Sequence, residues 1–253
     1  NKSGDYVWVA EIGSVILDED KQVTGLRGIM IDITQRKRDE EEIQRLAFYD
    51  ALTGLPNRRR LISYLQELID VADYDATNGA VIFIDLDNFK TLNDTFGHEV
   101  GDGFLKLVAK RLVNSVRKND LVGRLGGDEF VVVLQNENEE PENFKRVVEK
   151  IAKKILQAME QPYMVSAHEH HSAASLGIYF FDPEVDTVTE MLQRADMAMY
   201  QTKAQGKNDY RIFDPAMQSL LSRKATIEAD LRRALRNEEF VLHYQPQVFA
   251  NGE

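Results

Sequence analysis

Ile82-Phe83-Ile84-Asp85-Leu86-Asp87 and, one helical pattern later, Arg124-Leu125-Gly126-Gly127-Asp128-Glu129-Phe130 decide how this chain is read. The first stretch ends an apolar run that begins at Ala80. It does not alternate, so it reads as a strand buried on both faces, and it closes on two carboxylates. In the second, two glycines stand between the apolar runs Leu121 to Leu125 and Phe130 to Leu134. That pattern predicts a hairpin with a tight Gly-Gly turn, and glycine there lets a bulky phosphate approach the main chain. Asp85, Asp87, Asp128 and Glu129 then gather at neighbouring strand ends, where they repel one another unless a cation lies between them. Mg²⁺ takes oxygen ligands and keeps contacts to substrate phosphates. Acidic caps and turns are the plain alternative, and the coincidence of paired acids with a glycine hairpin favours the metal.

Working outward, helices are expected over Arg58 to Ala72, Glu99 to Arg117, Pro141 to Met159 and Val188 to Ala204. Pro141 and the acids beside it suit a helix start, and Gly206 suits a helix end. Tyr163 to Ser166 and Ala173 to Phe181 read as a second hairpin, and Tyr210 to Phe213 as a last strand. The order β-α-β-β-α-β with added elements predicts an α+β fold, an α/β sandwich in which helices cover an antiparallel sheet.

The flanks differ in character. Residues 1–34 hold two or three short strands, too few for a stable domain. Residues 35–49 are charged and read as a helical connector, either pairing with a copy of itself or simply solvated. After Asp214-Pro215 an amphipathic helix is expected from Met217 to Arg236, then a strand-like run from Glu239 to Tyr244.

The net charge of −11 opposes a nucleic-acid or anionic-membrane surface, because a field of that sign repels phosphate backbones. It does not oppose a single nucleotide held through metal ions. The chain has no cysteine, which removes disulfides, thiolate metal sites and cysteine nucleophiles. No apolar run is long enough to span a bilayer, so no membrane contact is expected from this segment and a cytoplasmic location is expected. The chain opens at Asn1 without Met and reads as a fragment, so an upstream anchor would lie outside it.

Neither a Gly-x-x-x-x-Gly-Lys-Ser/Thr loop nor a Gly-x-Gly-x-x-Gly run is present, so phosphates must be held in another way. Lys203 and Lys207 share a helix face near Gly206 and could neutralise a triphosphate, although Lys is favoured at helix ends anyway. Asn93, Asp94, His98 and Asp102 fall in a polar stretch between strand and helix. A carboxylate can accept from guanine N1–H and N2–H₂ together, and an amide can donate to O6 or N7. Asn-Asp and Gly-His also make good turns and caps. His168, Glu169, His170 and His171 read as a solvated hairpin tip without metal-ligand spacing.

Asp50-Ala51-Leu52-Thr53-Gly54-Leu55-Pro56-Asn57-Arg58-Arg59, Asp85-Leu86-Asp87-Asn88-Phe89-Lys90, Asn93-Asp94-Thr95-Phe96-Gly97-His98, the hairpin and Ser175-Leu176-Gly177-Ile178 together resemble the GGDEF family of diguanylate cyclases. The likeness runs in register over residues 50–213, roughly two thirds of the chain. It implies a fold like class III nucleotide cyclases and polymerase palms, in which two facing domains of a homodimer condense two GTP to cyclic di-GMP. By position, Asp85, the Leu86 carbonyl and Asp128 resemble the ligands of Mg²⁺ (or Mn²⁺). Asp128 also matches the residue often assigned as base for the 3′-hydroxyl, with Glu129 in support. Asn93 and Asp102 match the guanine readers, with His98 nearby. Gly126 and Gly127 match the substrate-binding turn, Lys90 a phosphate or transition-state contact, and Lys203 a triphosphate contact. Lys207 departs from the family's usual Arg, keeping the charge without the bidentate fork. Arg117-Lys118-Asn119-Asp120 resembles the family's Arg-x-x-Asp inhibitory site, which binds the product.

The flanks carry resemblances of their own. Residues 1–34, with Trp8 and Gly28-Ile29-Met30-Ile31-Asp32-Ile33-Thr34, look like the last strands of a PAS sensor domain. Residues 214–253, with Leu231-Arg232-Arg233-Ala234 and Tyr244-Gln245-Pro246, look like a linker helix and the opening of an EAL phosphodiesterase domain. That domain's catalytic acids are not in this chain, so hydrolysis of cyclic di-GMP by it is not expected.

Overall fold

A computed structural model describes residues 6–75, 78–136, 139–165 and 168–244. At its centre lies β3 (Gly79–Asp87), buried along its whole length. It is flanked by β5 (Glu129–Gln135) and β8 (Ala173–Phe181), both antiparallel to it, with β4 (Leu121–Gly126) and β9 (Tyr210–Ile212) at the edges. The five-stranded order is β4-β5-β3-β8-β9. A strand between two neighbours, with helices on both faces, has no wet side, which is why its sequence shows no alternation.

The faces separate by the two-residue period of a strand. Ile82, Ile84, Leu86, Val132, Leu134, Leu176 and Ile178 pack beneath α4 (His98–Ser115) and α5 (Pro141–Glu160). Val81, Phe83, Val131 and Val133 meet α2 (Arg58–Asp75) and α6 (Val188–Ala204) on the other side. The mixed sheet sandwiched by helices matches the expected α+β class.

α4 and α5 cap each other's C-termini. Arg111 on α4 donates to the carbonyls of Ala158 (2.8 Å), Gln161 (2.6 Å) and Pro162 (2.5 Å), and its guanidinium lies 3.5 Å from the Tyr163 ring centroid. Lys154 on α5 donates to Asn114 (3.2 Å) and Ser115 (3.0 Å) carbonyls. Each cation thus satisfies orphan carbonyls at the negative end of the other helix.

Before the sandwich, β1 (Val9–Leu17) and β2 (Val23–Asp32) form a two-stranded hairpin, not three strands, whose apolar residues such as Ile12 and Leu26 are exposed. Trp8 N–H donates to Thr34 Oγ1, joining the hairpin to α1 (Thr34–Phe48). α1 buries no residue and is stitched by pairs such as Arg36–Glu40. α7 (Pro215–Arg236) starts at Asp214, whose carboxylate accepts from Ala216 N–H.

Several expectations are corrected. The second hairpin is β6 (Tyr163–Val165) with β7 (His168–His170), while Ala173 to Phe181 is β8 and pairs with β3 and β9. Ser166 lies outside the described residues. The sheet is not wholly antiparallel, since β9 runs parallel to β8 after the α6 crossover. The helix expected to end at Arg117 stops at Ser115, and the polar stretch before it contains its own helix, α3 (Phe89–Phe96). Glu239 to Tyr244 is not a strand, because no neighbouring strand is there to pair with it among the described residues. Arg111→Ala is expected to lower stability by about 2 kcal/mol, the scale of losing a charged group's hydrogen bonds, checked by urea unfolding with the slope unchanged.

Candidate active site

The hairpin turn lies one residue later than a Gly-Gly reading suggests. Gly126 pairs with Glu129, so the turn residues are Gly127 and Asp128. Gly127 takes φ 51° and Gly126 φ 147°, both in the region that favours glycine, and a side chain at either would meet open space. Leu125 is an extra residue between the pairs Arg124–Phe130 and Gly126–Glu129, a bulge of the kind that re-aims a strand end.

Arg124 holds this turn to the start of the domain. Its Nε and Nη2 donate to the Gly127 carbonyl (3.1 and 2.8 Å), and its Nη1 reaches Asp50 Oδ1 at 3.0 Å. Asp50 also accepts from Thr53 N–H and Oγ1. Burial pushes the Asp50 carboxyl up, but the Thr53 hydrogen bonds and the Arg124 charge outweigh it and hold the group below its ordinary value. Asn57, at the end of the same loop, donates from Nδ2 to the Ala47 carbonyl on α1. Sequence reasoning used this loop only as a signature, and the partner of Asp50 lies 74 residues away.

The turn sits beside the end of β3, where Leu86 N–H donates to the Asp128 carbonyl (3.3 Å). Asp85 pairs in register with Glu129 and so shares its face of the sheet. Asp85 is only 7% exposed. Lys203 Nζ lies 2.5 Å from its Oδ1, a half-buried ion pair. Burial pushes the Asp85 carboxyl up. Lys203 opposes this, while the Asp128 and Asp87 charges add to it. Glu129 is raised by burial and by Asp196, Asp85 and Asp128 in turn. Asp196, on α6, is itself raised by burial, against the pull of Lys203.

Asp196 was missed in the sequence. The available signal was its place two helical turns before Lys203, on the same face. A groove of about 780 Å³ between α2 and α6 is lined by Arg58, Ile62, Phe83, Leu125, Glu129 and Asp196 among others. Among the described residues no three carboxylates or imidazoles converge at ligand distances. The carboxylates of Asp85, Asp87, Asp128 and Glu129 are nonetheless close enough for their charges to act on one another. Burial and mutual repulsion at Asp85 and Glu129 fit a dication such as Mg²⁺, which takes few protein oxygens and fills its shell with water and phosphate.

The other expected residues fall around this centre. α3 and α4 pack together and carry Asn93 and Asp102. Asn93 Oδ1 is buried without a partner, and a side chain at Gly101 would strike it at 1.8 Å, so that glycine is what admits the amide. His98, Asp102 and Lys90 are exposed. Lys207 has a left-handed backbone (φ 63°) and donates from Nζ to Asn88 Oδ1 at 2.9 Å. Arg117 is exposed and Asp120 half-buried, and Asp120 Oδ2 accepts from Arg117 N–H at 2.7 Å. Both line a recess against α5 with Phe144, Val147 and Ile151. The histidine run is corrected in part: His170 is buried and meets Phe96 edge-on at 4.7 Å between ring centroids, while His171 is at the surface beside Glu169.

This arrangement is a helix-covered five-stranded sheet in which acids end adjacent strands. Residues 47–209 match the family described as "Diguanylate cyclase, GGDEF domain". The chain is 42% identical over 220 residues to the bifunctional diguanylate cyclase/cyclic di-GMP phosphodiesterase MucR of Pseudomonas aeruginosa, covering 87% of this chain and 31% of the relative. It is 34% identical over 224 residues to the cyclic di-GMP phosphodiesterase PdeR of Escherichia coli, covering 88% and 32%. Among solved structures, the GGDEF domain of PA1120 (TpbB or YfiN) from Pseudomonas aeruginosa superposes with a TM-score of 0.63 at 34% identity, covering 69% of this chain and 99% of that one. The chain belongs to the GGDEF family, and it spans about a third of the length of these curated relatives.

Two outcomes follow from the site's electrostatics. Asp50 has a depressed folded pKa, so its contribution is present above the unfolded value of about 3.9 and lost as pH falls below it. Wild type should lose stability there more steeply than Asp50→Asn in denaturation across pH 2 to 5. Asp85 is raised, so neutralising it relieves a cost at neutral pH. Calorimetry without metal should show Asp85→Asn melting no lower than wild type, while stabilisation by Mg²⁺ with GTP disappears.

Proposed function

We propose that the domain is a diguanylate cyclase that condenses two GTP to cyclic di-GMP and two pyrophosphates, with Mg²⁺ or Mn²⁺ as cofactor, in a homodimer. The observation that carries this reading is the buried Asp85, in register with Glu129 and beside the Asp128 turn, with Lys203 as its counter-charge. Asp85, the Leu86 carbonyl and Asp128 would hold the ion, which when bound polarises the α-phosphate and favours ionisation of the attacking 3′-hydroxyl. In this reading Asp128 takes that hydroxyl's proton, and Glu129 supports the acid cluster. Asn93 and Asp102 read the guanine edge, with His98 alongside. Lys90, Lys203 and Lys207 neutralise the phosphates, and the open space at Gly126 and Gly127 admits them. One domain supplies half of the reaction centre. The attacking hydroxyl belongs to the GTP on a second copy of the chain.

The same reading assigns residues 1–34 to the end of a PAS domain, 35–49 to a signalling helix, 50–213 to the cyclase and 214–253 to a linker helix and the start of an EAL domain. Of the last segment, residues 245–253 lie outside the described residues. Arg117 and Asp120 form the product site. No helix among the described residues is long and apolar enough to cross a membrane, in keeping with a cytoplasmic domain.

A second reading is favoured by the name of the relative PdeR: a GTP-binding domain that regulates a downstream EAL phosphodiesterase without cyclising. One assay separates the two. The chain, stripped of bound nucleotide, is incubated with GTP and Mg²⁺ over a range of protein concentrations. Cyclic di-GMP formed per chain should rise with concentration, vanish in Asp128→Ala, and resist product inhibition in Arg117→Ala. Tight GTP binding with no product at any concentration would overturn the cyclase in favour of the regulatory domain.

A further inference from the structure

The end of β3 touches the turn after α6 through three nearby side chains. Asp85 meets Lys203 in the last turn of α6. Asp87 accepts from Asn208 N–H at 3.2 Å, and Asn88 accepts from Lys207 Nζ at 2.9 Å. Asp87 also accepts from Ser175 Oγ at 2.9 and 3.2 Å to its two oxygens. Asp87 is 5% exposed and Ser175 fully buried. A buried carboxylate needs such donors to offset its desolvation.

The turn needs holding. Lys207 (φ 63°) and Asn208 (φ 48°) both adopt left-handed backbone, which costs a non-glycine residue roughly 1 kcal/mol or more. The bonds that hold it converge from several elements. Lys207 N–H donates to the Thr202 carbonyl, Asn208 Nδ2 to Glu160 Oε1, and Asn208 N–H to Asp87. Of these, the Asp87 bond joins the turn to the strand that carries Asp85.

We propose that Asp87, braced by Ser175, is a positioning residue for triphosphate recognition: it fixes the 207–208 backbone so that the Lys207 ammonium is delivered to the end of β3, where Asn88 receives it. Asp87 is buried with both oxygens turned to Ser175 and Asn208, so its effect is assigned through Lys207 and not through direct contact. This rests on the reading of Lys207 as a phosphate contact.

The test uses the whole chain with GTP and Mg²⁺. Asp87→Asn keeps shape but presents an N–H₂ to one of two donors. It should raise KM for GTP on the order of tenfold, the loss of one charge-assisted hydrogen bond, with kcat changed far less and the melting temperature nearly kept. In a double-mutant cycle, Asp87→Asn added to Lys207→Ala should weaken GTP binding no further, because the two act through one group. Additive losses, or an unchanged KM, would overturn the proposal. If Asp87→Asn does not fold, Ser175→Ala takes its place, with the same non-additivity expected and an unchanged KM again overturning it. Wild-type chain that binds no GTP would remove the underlying reading, and the inference with it. Wild-type binding with an indifferent Asp87→Asn would remove the inference alone.

Discussion

A carboxylate taken out of water at the end of a fully buried strand is the constraint on which the rest of this structure depends. β3 cannot end on Asp85 and Asp87 unless something compensates them, since an uncompensated buried charge costs several kcal/mol. The fold answers the two differently. Asp87 is answered by neutral donors, the Ser175 hydroxyl and the Asn208 N–H. Asp85 is answered by Lys203 in part, and remains raised by burial and by the carboxylates beside it. One acid is held by neutral hydrogen bonds and the other by an ion pair that leaves its pKa raised. That asymmetry between residues two apart on one strand face separates scaffold from chemistry.

The hairpin is held in the same spirit. Its turn meets the end of β3 through the Asp128 carbonyl, and Arg124 adds rigidity by joining the Gly127 carbonyl to the Asp50 loop. That loop is bonded to the end of α1 through Asn57. α1, loop and hairpin turn are therefore one connected set of hydrogen bonds. A change in the direction of α1 has a short physical route to Asp128.

Much of this was legible beforehand. The apolar run ending at Asp85 marked the central strand, the glycines marked the turn, and the helices from Arg58, Pro141 and Val188 start where their first residues suggested. Errors fell where sequence period is weak. α3 was taken for a polar stretch because its eight residues give little room for a helical period to show. Tyr163 to Val165 was paired with the wrong partner because two strands close in sequence look like a hairpin, whatever sheet each one joins. Glu239 to Tyr244 had strand composition and no neighbour, and β propensity without a partner makes no strand.

The sequence by itself determined which residues carry charge, where the chain turns and which strand lies in the middle. These follow from local patterns: apolar continuity, glycine at positive φ, proline and acids at helix starts. The tertiary structure alone decided which acid is paired with which donor. Asp87 with Ser175 and Asn208, Arg124 with Asp50, Lys203 with Asp85, and Asp196 beside Glu129 are all separated by tens of residues or more. Such partners are chosen by sheet register and helix packing, which bring distant side chains to one face. No local period encodes that choice.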